Sequence, residues 1–566
     1  MNYIENYAFW CKTKLSESEI AELNTIRSNE EELKSRFGSE LQFGTAGMRG
    51  VMGLGSNRLN RYTVRRAAQG MAAWLSSTEL PQLAAIGYDS RHNSELFARV
   101  CAVAFAEAGI KTWLYDRLAP TPMLSFAVRE LGCGCGIVIS ASHNDGSYNG
   151  VKCYGPDGCQ MTDEPAAIVT ERIGQIPYFI PETKSFESFM EEGMISYIGQ
   201  DLWEKYYDVV LAEAVSPEII PGADLNVVYT PLCGTGNEPV RRVLKRLGVN
   251  VTVVACQEKP DGDFKTCEYP NPETDAALNE SYKVAASVPC DLILGTDPDA
   301  DRVAIAVPDG LGGFKKLTGN ELGCLLLEYI LKARSQKNNL PEKALAVRSI
   351  VSSPLADRIA ENYGIEMRAV LTGFKYIGGE ILQLEQNGEE ARYIFGFEES
   401  CGYLKGTYAR DKDAVVASML VCELAASLKK DGKTILQAIE TMYQTYGYCL
   451  ARVESVTLTG ADAMEKAGKI MTDFRLSPPR SIGSAVVTTI RDYQSSIETS
   501  LVDGAQTEIL LPKSNVLEFV LGNQGSVIIR PSGTEPKVKF YYTAIDADFD
   551  SAKQLLDGYV KQISNQ

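Results

Sequence analysis

The 566-residue chain is poor in the side chains that usually hold transition metals. It has two histidines, His92 and His143, and its 14 cysteines never take the C-x-x-C spacing of a zinc or redox site. Cys133 and Cys135 are separated by a single residue, too close for a metal knuckle. A histidine-based zinc centre is thereby all but excluded, and the scattered thiols read as reduced cysteines of a cytoplasm. A basic excess is also missing: 56 Lys+Arg face 73 Asp+Glu, a formal charge of −17, which argues against a general nucleic-acid binder. No apolar run approaches the roughly 18–20 residues that span a bilayer. Met1–Leu15 mix acids, aromatics and lysines without the basic and apolar regions of a signal peptide. Low-complexity tracts and short repeats of fixed period are absent too. The expectation is a soluble cytoplasmic protein without nucleic-acid or membrane partners.

The composition itself is globular, with 45% hydrophobic and 23% charged residues, and the length suits about four domains at ~150 residues each. Short aliphatic runs alternate with amphipathic stretches, the pattern of α/β layers. Strands are expected at Leu83–Tyr88, Gly136–Ser140, Leu225–Thr230, Asp291–Gly295, Val303–Val307 and Tyr393–Gly396. Helices are expected at Tyr62–Ser76, Ser94–Ala108, Pro239–Leu247, Glu321–Arg334 and Asp413–Leu428. After about residue 446 strand character rises, with runs at Leu450–Leu458, Ser484–Arg491, Ser526–Arg530 and Val538–Ile545. Helices are expected there near Gly460–Arg475 and Asp548–Ser564. Turn-rich breaks at Ser216–Gly222, Pro308–Gly313 and Gln444–Tyr448 suggest three α/β blocks, 1–215, 216–318 and 319–445, followed by a different block, 446–566.

Four segments carry chemistry. Asp297-Pro-Asp299-Ala-Asp301-Arg302 lies between two apolar runs. Carboxylates at every second position can converge on one hard cation, Mg²⁺ or Ca²⁺. An EF-hand fails on spacing, because Arg302 and Pro308 stand where Gly and Glu are needed. A plain acidic turn is the competing reading, and Arg302 weighs against it, because a cation beside the cluster suits a shared phosphate. Ser140-Ala-Ser142-His143-Asn144-Asp145-Gly146 leaves a strand into a tight loop whose serine, histidine and asparagine suit a nucleophile, its partner and a positioning group. Without a G-x-S-x-G elbow, a hydrolase triad is disfavoured, and a polar turn remains the bland alternative. Arg530-Pro-Ser532-Gly533-Thr534-Glu535-Pro536-Lys537 packs a guanidinium, two hydroxyls and a glycine amide into five residues, a cradle for a phosphate dianion. Gly44–Gly50 presents Arg49 on a glycine-rich turn. Thr372-Gly-Phe-Lys375 and Gly396-Phe-Glu398-Glu399-Ser400 are individually weak signals. Gly432-Lys433-Thr434 lacks the upstream glycine of a Walker loop, and Gly132–Gly136 precedes a strand instead of opening a helix. His92 is assigned only a supporting role in the first block.

In this order, from Gly44 to Pro536, the segments resemble the α-D-phosphohexomutase superfamily of phosphoglucomutases and phosphomannomutases. The longer sugar loop, followed by Tyr403–Gly406 and Arg410–Asp413, is most similar to the bacterial long-chain phosphoglucomutases. The resemblance implies four domains around a central cleft, three related mixed α/β units and a smaller C-terminal α+β unit. It implies that Ser142 carries a transferable phosphoryl group with His143 beside it. Asp297, Asp299 and Asp301, with the phosphate on Ser142, become Mg²⁺ ligands. Arg49 becomes the active-site arginine and Lys375 the general acid/base. Thr372, Glu398 and Ser400 face the sugar, with Arg302 and Lys412 also contacting substrate. Arg530, Ser532, Gly533 and Thr534 hold the non-transferred phosphate.

The implied activity is interconversion of glucose 1-phosphate and glucose 6-phosphate through glucose 1,6-bisphosphate. Mannose or pentose phosphates are alternatives within the family; a catalytically silent sugar-phosphate sensor that keeps the fold and, from another class, an aspartyl phosphatase are the competing readings. The sequence leaves the oligomeric state open. An acidic chain must then reverse its field locally, a task suited to Arg49, Lys152, Arg302, Lys375, Lys412, Arg530 and Lys537. One departure stands out: Asp145 occupies the position of the family's proline and adds a negative charge near a phosphoserine of about −1.5 to −2.

Overall fold

The computed structural model describes residues 2–44, 47–458, 463–531 and 537–564. The chain forms two compact units, Met1–Leu317 with Gly378–Glu390 and Gly402–Lys430, and Thr318–Ile377 with Ala391–Cys401 and Asp431–Gln566. Among the described residues no helix is long and apolar enough to cross a membrane.

The first unit contains two sheets. One is built from β1 (Gly47–Val51), β2 (Leu83–Tyr88), β3 (Lys111–Tyr115), β4 (Cys135–Ile139), β5 (Tyr148–Tyr154) and β6 (Ile195–Ile198), in the order β1-β5-β4-β2-β3-β6. β4, β2, β3 and β6 run parallel, and β5 and β1 close one side antiparallel. β4 is buried along its whole length and β2 almost so, as expected of aliphatic strands covered on both faces. Helix Arg61–Ser76 begins at Asn60, whose side chain accepts from the amides of Tyr62 and Thr63, and it packs beside helices Ser94–Glu107 and Asp163–Gln175. The second sheet takes β7 (Asn226–Thr230), β8 (Asn250–Val253), β9 (Leu292–Thr296), β10 (Val303–Pro308) and β11 (Phe314–Lys316) in the order β11-β10-β9-β7-β8. β9, β7 and β8 are parallel, and β10 returns antiparallel on β9.

In the second unit β12 (Leu345–Ser349) lies between β13 (Glu366–Val370) and β14 (Tyr393–Glu398), all parallel. β15 (Gly402–Leu404) belongs to the first unit. β16 (Tyr448–Thr457) begins a seven-stranded antiparallel sheet. A short ribbon of β17 (Ser481–Ile482) and β18 (Ala485–Val486) follows, then β19 (Thr489–Asp492), β20 (Ile497–Ser500), β21 (Gln506–Glu508), β22 (Leu517–Val520), β23 (Gly525–Pro531) and β24 (Lys537–Asp546). The sheet order is β16-β24-β23-β22-β19-β20-β21, and helix Phe549–Ile563 packs on β24 and β16.

The expected elements are found with ends shifted by a few residues, with one exception. The run Ser484–Arg491 is not one strand. Ala485–Val486 pairs with Ser481–Ile482, whereas Thr489–Asp492 pairs with both Ile497–Ser500 and Leu517–Val520. The switch occurs at Val487 and Thr488, whose amides bond to Arg480 and to Val520 respectively. A continuous β-branched run cannot reveal such a change of partner. The start of the expected helix at Gly460–Arg475 lies outside the described residues, which show it from Ala463 to Leu476.

Candidate active site

Parallel strands place their carboxyl-terminal loops on one edge of a sheet, where α/β proteins carry their chemistry. In the first unit Ser142 follows the end of β4, and Asp297 follows the end of β9. The Asp297–Arg302 segment forms the turn between β9 and β10. The Asp297 carbonyl accepts the Ala300 amide, Ala300 takes a left-handed φ of 50°, and Asp297 Oδ1 accepts the amides of Asp301 and Arg302. The turn curls so that ligand oxygens of Asp297, Asp299 and Asp301 all lie within 4.8 Å of one another, and all three side chains are buried. Gly234 lets the backbone of residue 298 approach closely, because a Cβ there would sit 2.4 Å from Pro298 Cα.

The remaining carboxylate oxygens are divided between two tasks. Asp299 Oδ2 accepts from Thr121 Oγ1 (2.8 Å) and Lys152 Nζ (2.5 Å), and Asp301 Oδ2 faces Lys152 (3.1 Å) and Lys412 (3.2 Å). Asp299 Oδ1 and Asp301 Oδ1 are buried and accept no hydrogen bond from the described residues. Burial, with Asp301 and Asp299 beside it, pushes Asp297 well above the usual carboxylate range. Burial also opposes ionisation of Asp299 and Asp301, but Lys152 and, for Asp301, Lys412 outweigh it and hold both below that range. Burial would lower Lys152, and Asp299 and Asp301 more than offset it. Two orphaned oxygens beside a third strained carboxylate fit a hard divalent cation, which would remove the mutual repulsion.

Ser142 is buried and has a left-handed φ of 52°. Its Oγ donates to Asp297 Oδ2 at 2.8 Å and lies 3.1 Å from His143 Nδ1, and its amide donates to Ser140 Oγ. Burial, reinforced by the nearby Arg302, Arg49 and Arg91, holds the His143 imidazole well below its ordinary range, so it is neutral at pH 7. Arg49, on β1 and exposed, donates to Asn144 Oδ1 at 2.8 Å. Arg302 stands by the cluster, 3.8 Å from Asp301 Oδ1, and its guanidinium also pairs with Glu273. Lys412 is further held by Asp411 at 2.9 Å, which in turn accepts from Tyr154 and Gln160. The Asp145 carboxylate accepts from the amide and hydroxyl of Ser147, an Asx turn that engages the added charge inside the loop.

The second unit gathers its own set at strand ends. Glu398 ends β14, is buried, and accepts the Gly373 amide at 2.7 Å, which ties it to the Thr372–Lys375 turn. Thr372 Oγ1 is buried without a hydrogen-bond partner among the described residues. Lys375 is the second residue of helix Phe374–Gln386, its Nζ 5.2 Å from the Tyr376 ring centre. Ser400 is half-buried after β14, and neighbouring Glu399 accepts from Ser349 Oγ. Arg530, near the end of β23, hydrogen-bonds Tyr541, which also senses the charges of Glu399 and Glu398. Ser532, Gly533 and Thr534 lie outside the described residues.

Sequence reasoning missed Arg91 and Thr121, and it gave Lys152 no role beyond its charge. Arg91 sits three residues past β2, a strand-end signal that was readable; Thr121 opens a helix and carried no signal.

A buried serine on three converging carboxylates, flanked by lysines and set at α/β strand ends, defines a phosphoryl-transfer enzyme. Four models of one family match in order: phosphoglucomutase/phosphomannomutase α/β/α domains I (residues 40–178), II (204–312) and III (318–446), and the C-terminal domain (497–551). The chain belongs to the phosphoglucomutase/phosphomannomutase family, intramolecular phosphotransferases of the isomerase class. It is 37% identical to a phosphoglucomutase of Staphylococcus epidermidis over 96% of this chain and 97% of that one. It is 38% identical to one of Staphylococcus aureus over 94% of each. Among solved structures, a phosphomannomutase-type protein from Thermus thermophilus shares the fold at 22% identity, with a TM-score of 0.69 over 93% of this chain and 99% of that one.

Proposed function

We propose that the protein interconverts α-D-glucose 1-phosphate and glucose 6-phosphate in the cytoplasm, through a phosphorylated Ser142 and glucose 1,6-bisphosphate. The observation that carries this reading is the Ser142 hydroxyl, buried 2.8 Å from the carboxylate of Asp297. Near-full-length identity of 37–38% to phosphoglucomutases supports the choice of sugar.

Phosphoryl transfer demands in-line positioning and charge neutralisation more than covalent help. The bond between phosphorus and the Ser142 oxygen breaks as a sugar hydroxyl oxygen bonds to phosphorus. The neutral Lys375 amine takes the hydroxyl proton, and the serine oxygen that leaves phosphorus takes up one proton from solvent, so that Ser142 ends as the free hydroxyl. The resulting bisphosphate reorients and returns its other phosphate to Ser142 by the reverse step. Mg²⁺ held by Asp297, Asp299 and Asp301 would supply neutralisation of phosphoryl charge. His143 accepts from or donates to Ser142 Oγ according to its tautomer, and Arg49 steadies Asn144. Glu398, Ser400 and Thr372 read sugar hydroxyls. Arg302 and Lys412 contact substrate near the cluster, and Arg530 with residues 532–534 holds the phosphate that stays put.

The test is conversion of glucose 1-phosphate with Mg²⁺ and trace glucose 1,6-bisphosphate, run beside mannose and pentose 1-phosphates and repeated with Ser142→Ala. Glucose turnover lost in the serine variant is expected. Preference for another sugar would move the specificity, and full activity of Ser142→Ala would remove the phosphoserine.

A further inference from the structure

We infer that Arg91 is the positioning residue of the nucleophile loop, a guanidinium clamp that sets where Ser142 stands; this rests on the reading of Ser142 as the phosphoryl carrier. The Arg91 side chain is fully buried. One terminal nitrogen donates to the carbonyls of Asp145 (2.6 Å) and Tyr148 (3.0 Å), and the other to those of Ser142 (2.6 Å) and Asn144. Four backbone carbonyls between residues 142 and 148 thus converge on one side chain. Only arginine presents enough donors in a rigid planar fork to hold them together; a lysine ammonium has three donors on a flexible stem.

The clamp is itself held. Asp89 lies 3.3 Å from Arg91 Nε, accepts the Arg91 amide, and also accepts from Ser94 Oγ. Phe264, from the loop that follows β8, lies under the guanidinium at 4.9 Å from ring centre to Cζ. The same loop closes over the far side. Gly146 abuts Gly262, where a Cβ would stand 2.7 Å from the Gly262 carbonyl, and His92 pairs with Asp263 at 2.6 Å.

A clamp is needed because the loop conformation is unfavourable for its sequence. Ser142 is a non-glycine residue at φ 52°, a state that persists only when surrounding contacts over-determine it. Releasing the carbonyls lets Ser142 relax toward ordinary backbone angles and carries Oγ away from Asp297. A misplacement of about 1 Å at a reacting atom costs on the order of 100-fold in rate. Arg91 touches no reacting atom in this arrangement, so its effect falls on the chemical step and spares substrate binding.

The experiment compares wild type with Arg91→Lys and Asp89→Asn. It measures kcat and KM for glucose 1-phosphate with Mg²⁺, and amide hydrogen exchange of residues 142–150 in the resting proteins. Arg91→Lys is expected to lower kcat about 100-fold with KM within about 3-fold, and to speed exchange in the loop while β2 and β4 stay protected. If Arg91→Lys does not fold, Asp89→Asn decides alone; it keeps the arginine but loosens its anchor, with kcat down about 10-fold and the same local exchange. A folded variant with kcat within about 3-fold of wild type, or with unchanged loop exchange, overturns the clamp. Wild type that turns over no sugar phosphate instead overturns the functional reading, and the exchange data still decide the clamp.

Discussion

In the first unit Ser142, Asp297, Asp299, Asp301 and Lys412 are all buried, and each is tied to others by charge or hydrogen bond. In the second, Glu398 is buried but Thr372, Lys375, Ser400 and Arg530 are half-buried and partly open to solvent. The contrast matches two kinds of work. Groups that stabilise charge during transfer gain most where water is excluded and reorganisation is prevented. Groups that must receive a sugar phosphate first in one orientation and then in another gain from access.

The comparison breaks most sharply at the serine. Ser142→Ala should lower kcat by about 10⁴-fold or more, the scale of deleting a covalent nucleophile; a steady-state assay and the intact mass after incubation with glucose 1,6-bisphosphate check it. Asp301→Asn should come next. It takes one carboxylate from Lys152 and Lys412, which keep Asp299 and Asp411 as partners, a loss of about 1.5–3 kcal/mol read by chemical denaturation. Arg530→Ala should act through binding alone, because it removes a charge-assisted contact worth about 1.5–3 kcal/mol and so raises KM while leaving kcat within a few-fold. A kcat loss equal to that of the first-unit variants would erase the proposed division of labour. Thr121→Val should weaken Mg²⁺ activation about 10–100-fold, measured by metal titration, because it withdraws a hydrogen bond that orients Asp299.

The smallest effect is one of pH. Glu385 pairs with Arg129 and with buried Arg410, and hydrogen bonding from Arg129 holds its carboxyl below the ordinary value. A depressed folded pKa adds stability above the unfolded value, and that stability disappears as pH falls through the folded value. The melting-temperature gap between wild type and Glu385→Gln should therefore be present at neutral pH and close on acidification below about pH 4.5.

Several of these sites were legible because their chemistry is local. Asp297, Asp299 and Asp301 alternate within five residues, so a single turn brings them together, and a strand end followed by Ser142-His143 announces a loop at the edge of the sheet. Asp145 was legible only in part, for the opposite reason. Its charge was visible, but the direction of its carboxylate, toward Ser147, is a matter of side-chain rotamer. Thr121 and Asp299 stand 178 positions apart, and no periodicity links them. Arg91 stands at a readable strand end, but nothing local shows that the loop of residues 142–148 folds over it.

The sequence by itself determined the alternation of elements, the acidic turn, the serine loop and the family they define, because hydrophobic period, turn residues and short-range motifs are properties of neighbouring residues. Only the tertiary structure decided which carboxylate oxygens are left without a hydrogen-bond partner among the described residues, which lysines neutralise the others, and which arginine holds the Ser142 loop. Those outcomes depend on burial and on contacts between strands far apart in the chain, where the strength of a charge is set by what surrounds it.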